Sequence, residues 1–283
     1  MYSTARIEPC RRPGFALVAV LWLLLLLSVI GGMLLRGAES ERDGALTEIA
    51  LTDARLLADA GINRAILSVA NPQDPLKWRL DGTAQTLHLL GHDVDVSVES
   101  EAAKIDLNLA PRDLLAALFR SRGVAPGDAG DIADRIVAWR SPLAPGEPDE
   151  AADRYRDAGR SYRPTHEPFG SIDELRLVFG MTDALQAGLV SAVTVYSRNP
   201  SVDRQVAGTI VLRALEEAGD TLAASQRAAR DKGHASGVDR APVLGEALRI
   251  TARVANGQVT VLRTAVIRVT GDRRVPYWVL AWR

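Results

Sequence analysis

The longest apolar run in the chain lies near its beginning. Residues 15–35 form a stretch of 21 residues without a charge, FALVAVLWLLLLLSVIGGMLL. As an α-helix this stretch is about 31 Å long, which is enough to cross the apolar layer of a bilayer. Further apolar residues recur at helical spacing as far as Val69, and the prolines at 72 and 75 end the pattern. The pattern predicts one helix of about 55 residues, apolar all round in residues 15–35 and amphipathic in residues 36–70.

The residues before this run favour one orientation in a membrane. The leader, residues 1–14, holds three arginines against one glutamate. Basic residues beside a membrane helix stay in the cytoplasm, so the chain after Leu35 is expected in the periplasm. A cleaved secretory signal fits poorly, because such signals have an apolar core of about 7 to 15 residues and Arg36 stands where a small residue is needed. An uncleaved membrane anchor stays open as an alternative.

After the prolines the pattern changes to a strand and then to helices. Val94, Val96 and Val98 alternate with polar residues, which predicts a half-buried strand that leads on to residue 109. Two helical pairs follow, each with a glycine-containing turn between its apolar stripes: Leu114–Phe119 and Ile132–Trp139, then Ile172–Phe179 and Leu185–Val193. Ser171 and Glu174 have the spacing of a capping box at the start of the second pair.

Alternation with period two returns near the end of the chain. Further helix is predicted from Thr209 to Arg230, interrupted by Gly219, and a hairpin then turns at Asn256-Gly257. A last strand ends at Trp282, and we expect Trp278 and Trp282 to share the face of it that packs the sheet. These elements predict an α+β fold with a long amino-terminal helix, a small antiparallel sheet and an inserted helical subdomain. The sheet is expected to come from residues around 92–109 and 246–283.

Composition and charge narrow the classes of function. The net charge is -1, with 47% hydrophobic and 24% charged residues, so no overall basic character suggests nucleic-acid binding. Cys10 is the only cysteine, so the chain cannot form an internal disulfide. The four histidines lack a serine or cysteine constellation and the HExxH spacing. We therefore expect no enzyme activity.

The junction of leader and apolar run, RRPGFALVA, resembles the processing site of the type IV pilin superfamily. In that superfamily a prepilin peptidase removes a short basic leader that ends in glycine, and the new first residue is methylated. Carried onto this sequence, the resemblance implies cleavage between Gly14 and Phe15 and a methylated Phe15. Most members have glutamate at the fifth mature position, where this chain has Ala19.

That departure indicates a place in the filament. A carboxylate in the apolar layer costs about 2.5 to 3.5 kcal/mol and needs a partner. In pilin-like filaments the partner is taken to be the amine of the subunit ahead, and a tip subunit has none ahead of it. With Ala19 in this position, the chain resembles the K-type minor pseudopilin of type II secretion systems.

Several phrases strengthen the resemblance to secretion protein K and stand in that family's order. They are KIDLNLAPRDLLAAL, IVAWR, PGE followed by Tyr155, EPFGSIDELRLVFGMT and VTVYS. Together with the patterns above they divide the chain as follows: leader 1–14, transmembrane helix 15–35, amphipathic continuation 36–70, first part of the sheet domain 71–107, inserted SAM-like helix-hairpin domain 108–245, and last strands 246–283.

An acidic loop follows the first helical pair. Glu147, Asp149, Glu150 and Asp153 offer the oxygen ligands that calcium prefers, and the resemblance implies calcium sites in this region. The spacing is not that of an EF-hand, and Ser141-Pro142 stands where the family tends to have aspartates. A solvated loop without metal is the alternative, and no other cofactor is expected.

The resemblance implies a minor pseudopilin at the tip of the type II secretion pseudopilus. Such a subunit initiates assembly and supports protein export across the outer membrane. Its expected partners are the I- and J-type minor pseudopilins, the inner-membrane assembly platform and the prepilin peptidase. Its expected place is the bacterial inner membrane, crossed once. The alternatives are an uncleaved periplasmic binding module and a DNA-uptake helix-hairpin-helix protein, although the aspartates flanking both glycine turns would repel phosphate.

Overall fold

In a computed structural model of the chain, the first described element is one long helix. The structure describes residues 13–71, 73–219, 241–257, 259–272 and 274–283, with the side chains of residues 13–16 and 31–43 left out. Helix α1, Pro13–Ala70, has 58 residues and ends just before Asn71, so the prediction of a single long helix is confirmed. The leader, residues 1–12, lies outside the described residues.

Within the part of the chain that the structure describes, no helix combines the length and apolar character that crossing a membrane requires. The predicted span, residues 15–35, includes residues 15, 16 and 31–35, whose side chains lie outside that part.

A five-stranded antiparallel sheet packs against the second half of α1. Its strand order is β1-β2-β5-β6-β7. The strand bounds are β1 Asp81–Leu89, β2 His92–Ser100, β5 Ala247–Asn256, β6 Val259–Val269 and β7 Tyr277–Trp282. Strands β5 and β6 pair from Asn256 and Val259 outward, which confirms the predicted hairpin.

The core of this part lies between α1 and the sheet. The buried side of α1 includes Leu57, Ile62 and Ile66, and it faces the valines of β2 and the inward residues of β5 and β6. Gly61 allows the closest approach, because a Cβ there would lie 2.7 Å from Val94 Cγ1. A side chain at this position would push the helix off the sheet.

The helical subdomain is inserted between β2 and β5 and has its own core. It contains β3 Ile105–Asp106, α2 Arg112–Ser121, α3 Pro126–Arg140, α4 Glu150–Asp157, α5 Asp183–Ala187, β4 Val193–Thr194 and α6 Thr209–Glu217, with 3-10 helices at Glu101–Ala103 and Ile172–Leu177. Strands β3 and β4 form a separate parallel pair. The chain enters and leaves side by side, since Ser100 pairs with Leu248 and its hydroxyl donates to Glu246 Oε1 at 2.5 Å.

Several predicted boundaries were wrong, each for a local reason. The strand predicted to run on to residue 109 leaves the sheet at Ser100, and residues 105–106 pair with β4 instead. The predicted helix at 172–179 is a 3-10 helix that ends at Leu177, and the one at 185–193 is the five-residue α5 followed by β4. The helix from Thr209 ends at Glu217, just before the interruption predicted at Gly219, and residues 220–240 lie outside the described part. The SAM-like character of the insert stays a prediction.

The prediction that the two tryptophans of the last strand share one face of the sheet was wrong. A register shift between Val266 and Ile267 adds a residue to β7 relative to β6, so Trp278 and Trp282 lie on opposite faces of the sheet. Trp282 packs against the sheet core and donates to Asp59 Oδ1 at 3.1 Å, whereas Trp278 is 57% exposed. Trp278 therefore does not pack the sheet as the sequence suggested.

Candidate interaction surfaces and the junction of the two cores

Helix α1 carries two apolar faces rather than the single one that its pattern suggests. One faces the sheet and is buried. The other, which we call the α1 stripe, consists of Leu46, Ile49, Leu56 and Leu67, which are 54%, 58%, 63% and 62% exposed. Intervals of 3, 7 and 11 residues place these side chains along one line of the helix. An uncovered line of large apolar side chains indicates an interaction surface.

The amino-terminal end of α1 is apolar and exposed on every side. All described side chains from Leu17 to Ile30 are exposed, and the large ones range from 71% at Leu17 to 46% at Ile30. Ala19 is among these exposed residues. Gly14 and Phe15 lie in the first turns of α1, and their side chains lie outside the described part. This end of the helix has no packing partner among the described residues of the chain.

A buried carboxylate joins the sheet to the inserted subdomain. Glu101 follows β2 directly and is 0% exposed. Its Oε1 accepts from Arg249 Nε at 2.7 Å and from Lys104 Nζ at 3.2 Å, and its Oε2 accepts from the Thr194 hydroxyl. Burial alone would raise the pKa of Glu101, but the charges of Lys104 and Arg249, with the hydrogen bonds from Arg249 and Thr194, hold it below its ordinary value. One ionised group thus connects β2, β4 and β5.

Two neighbouring polar residues fix the β3 segment within the insert. Asp106 Oδ2 accepts from the Ser197 hydroxyl at 2.8 Å and from Arg198 N at 2.9 Å. Asn108 exchanges two hydrogen bonds with the backbone of Phe169, at 3.0 Å and 2.7 Å. Both side chains thus tie the β3 segment to other loops of the insert.

The half-buried Arg140 and the buried Arg268 bind backbone carbonyls instead of carboxylates. Arg140 donates to the carbonyls of Leu107 and Ala110 at 2.5 Å and 2.6 Å, and burial lowers the pKa of its guanidinium. Arg268 on β6 donates to the carbonyls of Gly245 and Tyr196. These contacts hold loop ends in place, so both arginines have structural roles.

The phrases that carry the resemblance meet in the core of the insert. Trp139 of IVAWR stacks on Phe169 of EPFG with ring centroids 6.0 Å apart and lies 6.1 Å from Tyr155. The Tyr155 hydroxyl accepts from Phe179 N at 2.8 Å. These residues are far apart in sequence but form one aromatic cluster, which explains why the phrases occur together.

The acidic loop that suggested calcium is partly helical. Asp149 caps α4 by accepting from Ala152 N at 2.8 Å, and its other oxygen lies 3.1 Å from His166 Nε2. Burial would raise the pKa of Asp149, but the Ala152 hydrogen bond and His166 lower it overall. Asp153 pairs with Arg156, and Glu147 accepts from Ala144 N.

These four carboxylates do not gather into a metal site. Each of the three just described already has a partner, and Glu150 lies in the first turn of α4. Over the described residues, no three His, Cys, Asp or Glu side chains are placed to hold one ion. The residues as arranged do not fit calcium, which stays a prediction from the sequence.

A groove of about 540 Å³ runs between the two glycine turns of the insert. Its lining includes Arg122, Asp128 and Arg135, and Arg135 also lies 5.2 Å over the Phe179 ring. The lining therefore carries both signs of charge. Among the described histidines, His88 pairs with Asp93 at the β1–β2 turn and His166 bridges Asp149 and the Ser141 carbonyl. None of these contacts forms a set of nucleophile, base and orienting group.

Comparison with known proteins agrees with the fold and with the phrases. The family "Type II secretion system (T2SS), protein K" matches residues 94–198. No curated protein matches the chain significantly. A chain in the crystal structure of the GspK-GspI-GspJ complex from the enterotoxigenic Escherichia coli type 2 secretion system is similar, with a TM-score of 0.54 and 16% identity over 86% of this chain and 98% of that one. The sequence-based resemblance to protein K is confirmed by the family match, and the structural likeness supports the fold.

Proposed function

We propose that this chain, whose residues 94–198 match the family of type II secretion protein K, is a minor pseudopilin that assembles through its long helix. In this proposal it caps the pseudopilus, initiates its assembly and supports the export of proteins across the outer membrane. The observation that carries the proposal is the second apolar face of α1.

The α1 stripe fits helix-to-helix assembly. The sheet already covers the opposite face of the helix, so the stripe does not stabilise the isolated subunit. Packing against another helix would bury the exposed apolar area of these side chains. Each Å² buried would stabilise the assembly by about 25 cal/mol. A stripe with this spacing suits a neighbouring subunit that presents a parallel helix of the same kind.

The amino-terminal end of the helix suits storage in a membrane and later packing in a filament. Residues 15–35 carry no charge, and the basic leader favours a cytoplasmic amino terminus. We propose a single crossing of the inner membrane with the rest of the chain in the periplasm. Cleavage by a prepilin peptidase after Gly14 and methylation of Phe15 complete the proposal.

Ala19 gives the subunit its place in the filament. Without a carboxylate at this position, the chain has no group to neutralise the amine of a subunit ahead, and it avoids a cost of about 2.5 to 3.5 kcal/mol in the apolar layer. The bulky insert above the sheet would then stand where no further subunit has to stack. Both features suit the tip.

The proposed partners follow from the similar complex and from the family. That complex contains GspI and GspJ beside GspK, so we propose the I- and J-type minor pseudopilins as direct partners. The inner-membrane assembly platform would receive the subunit before assembly.

Amino-terminal mass spectrometry of membrane-extracted protein tests the processing. We expect a mature chain that begins with methylated Phe15. An intact leader would instead support an uncleaved membrane anchor.

Co-purification tests the assembly. The full chain in detergent should form a complex with the I- and J-type subunits of the same system. Leu56→Glu, on the α1 stripe, should abolish the complex, whereas Thr47→Glu adds the same charge at an exposed position on another side of the helix and should leave it intact. A wild-type chain that co-purifies with neither subunit would contradict the proposal.

A further inference from the structure

Strand β7 is an edge strand of the sheet, and no other described strand covers its outer side. It pairs with β6 on one side only. Pro276 O accepts from Thr270 N at 3.0 Å, and Arg283 N donates to Thr264 O at 2.9 Å. In an antiparallel ladder successive residues alternate between facing the neighbour and facing away. The backbone N–H and C=O groups of Tyr277 and Val279 therefore face away from β6, where the described chain supplies no partner strand.

The two edges of the sheet are built differently. Strand β1, DGTAQTLHL, has polar residues, a register shift between Asp81 and Ala84, and a positive φ at Gly82. Such features prevent edge-to-edge pairing. Strand β7, YWVLAW, has no charge, and Trp278, Val279 and the preceding Val275 are 57%, 51% and 47% exposed. An unprotected apolar edge is an aggregation hazard unless assembly covers it.

We propose that the β7 edge takes up an extended strand from a partner minor pseudopilin, which continues the five-stranded sheet. The proposal rests on the proposed function, because the partner must be a subunit that also binds the α1 stripe. Six residues of strand cover far less than the roughly 1,200 to 2,000 Å² of a stable specific interface. The edge therefore works as a second contact beside the helices.

The charges around β7 favour a different protein over a second copy of this chain. Antiparallel self-pairing would place Arg274 of one copy beside Arg283 of the other at both ends, and like charges on facing strands destabilise pairing. Arg283 already pairs with Asp173 at 3.3 Å. Arg274 is exposed. A fitting strand is uncharged and apolar over about six residues and carries a carboxylate at the end that meets Arg274.

A charged side chain at Val279, whose backbone groups face away from β6, tests the edge. The full chain in detergent is mixed with the I- and J-type subunits, and the affinity of the complex is measured. We expect Val279→Lys to weaken the complex by about tenfold or more, because it buries a charge beside an apolar strand. Val279→Thr keeps the branched shape, and Ala84→Lys puts the same charge on the other, exposed edge. Both should change affinity by less than about twofold.

Crosslinking gives a second measurement that does not depend on how the lysine variant folds. Cys10 is the only cysteine, so Val279→Cys in a Cys10→Ser background carries one thiol for a short crosslinker. We expect a crosslink to an extended segment of the I- or J-type subunit. A crosslink between two copies of this chain would overturn the choice of partner.

The outcomes separate this inference from the proposed function. A wild-type chain that binds neither subunit would overturn both. A wild-type complex that Val279→Lys leaves unchanged, without a crosslink from position 279, would overturn the β7 contact alone.

Discussion

Replacing Glu101 with glutamine should destabilise the protein strongly. The substitution keeps the shape of the side chain but leaves Lys104, 3% exposed, and Arg249, 23% exposed, without the carboxylate that they share. Removing one partner of a buried ion pair costs about 3 to 5 kcal/mol. In the variant Lys104 still forms an ion pair with Glu99, at 2.6 Å, and Arg249 is partly exposed to water. We therefore expect the free energy of unfolding to fall by about 3 kcal/mol, the lower end of that range. The melting temperature should fall by about 6 to 12 °C.

Urea unfolding at neutral pH, followed by circular dichroism on the full chain in detergent, measures this cost. Asp153→Asn is the matched control, because it removes a carboxylate from an exposed pair with Arg156 and should change the free energy of unfolding by less than about 0.5 kcal/mol.

The comparison of wild type with Glu101→Gln also gives a prediction about how stability depends on pH. The pKa of Glu101 is lower in the folded than in the unfolded state, so its charge stabilises the fold above the unfolded pKa of about 4.3. That stability is lost as the pH falls through the folded pKa. Wild type and Glu101→Gln should therefore converge in acid. A variant within about 1 kcal/mol of wild type at pH 7, or a difference that stays constant down the whole pH series, would refute the reasoning.

Three further substitutions or additions test other parts of the structure. Asn108→Ala should cost about 2 kcal/mol by leaving the backbone of Phe169 unpaired, whereas Asn63→Ala, exposed on α1, should cost nothing measurable in the same thermal scan. Gly61→Ala should destabilise by about 1 to 3 kcal/mol through overpacking, while Gly44→Ala, with nothing within 4 Å, should stabilise the helix slightly. Millimolar calcium should not raise the melting temperature, because the carboxylates of residues 147–153 are already paired or dispersed; a rise above an EDTA control would mean that this loop rearranges around the ion.

The sequence predicts best where burial is strong and regular. Helix α1 and the β5–β6 hairpin follow from periodic apolar residues bounded by prolines or an Asn-Gly turn. Strand β1 was missed because its residues are half-buried or exposed and give no clean alternation. Helix α4 was taken for a loop because only Ala152 and Tyr155 are buried in it.

The contacts that join the two cores could not be predicted from local patterns. Glu101 meets Thr194 and Arg249 across separations of 93 and 148 residues. Pattern analysis assigns a charged residue to the surface by default, and only its partners explain why this one is buried. The α1 stripe was visible as apolar positions, but the sequence did not show that the sheet covers only one side of the helix.

The hydrogen bond between Ser100 and Glu246 marks a neck through which the whole insert is attached. Strands β2 and β5 are already neighbours there, and adjacent strands lie only about 4.8 Å apart. A tight hairpin of a few residues would close the same gap, so the sheet and α1 do not need the insert to set their register. The cost of closing a loop grows only slowly with its length. A domain attached in this way can lengthen, shrink or be exchanged during evolution while the assembling half of the protein keeps its shape.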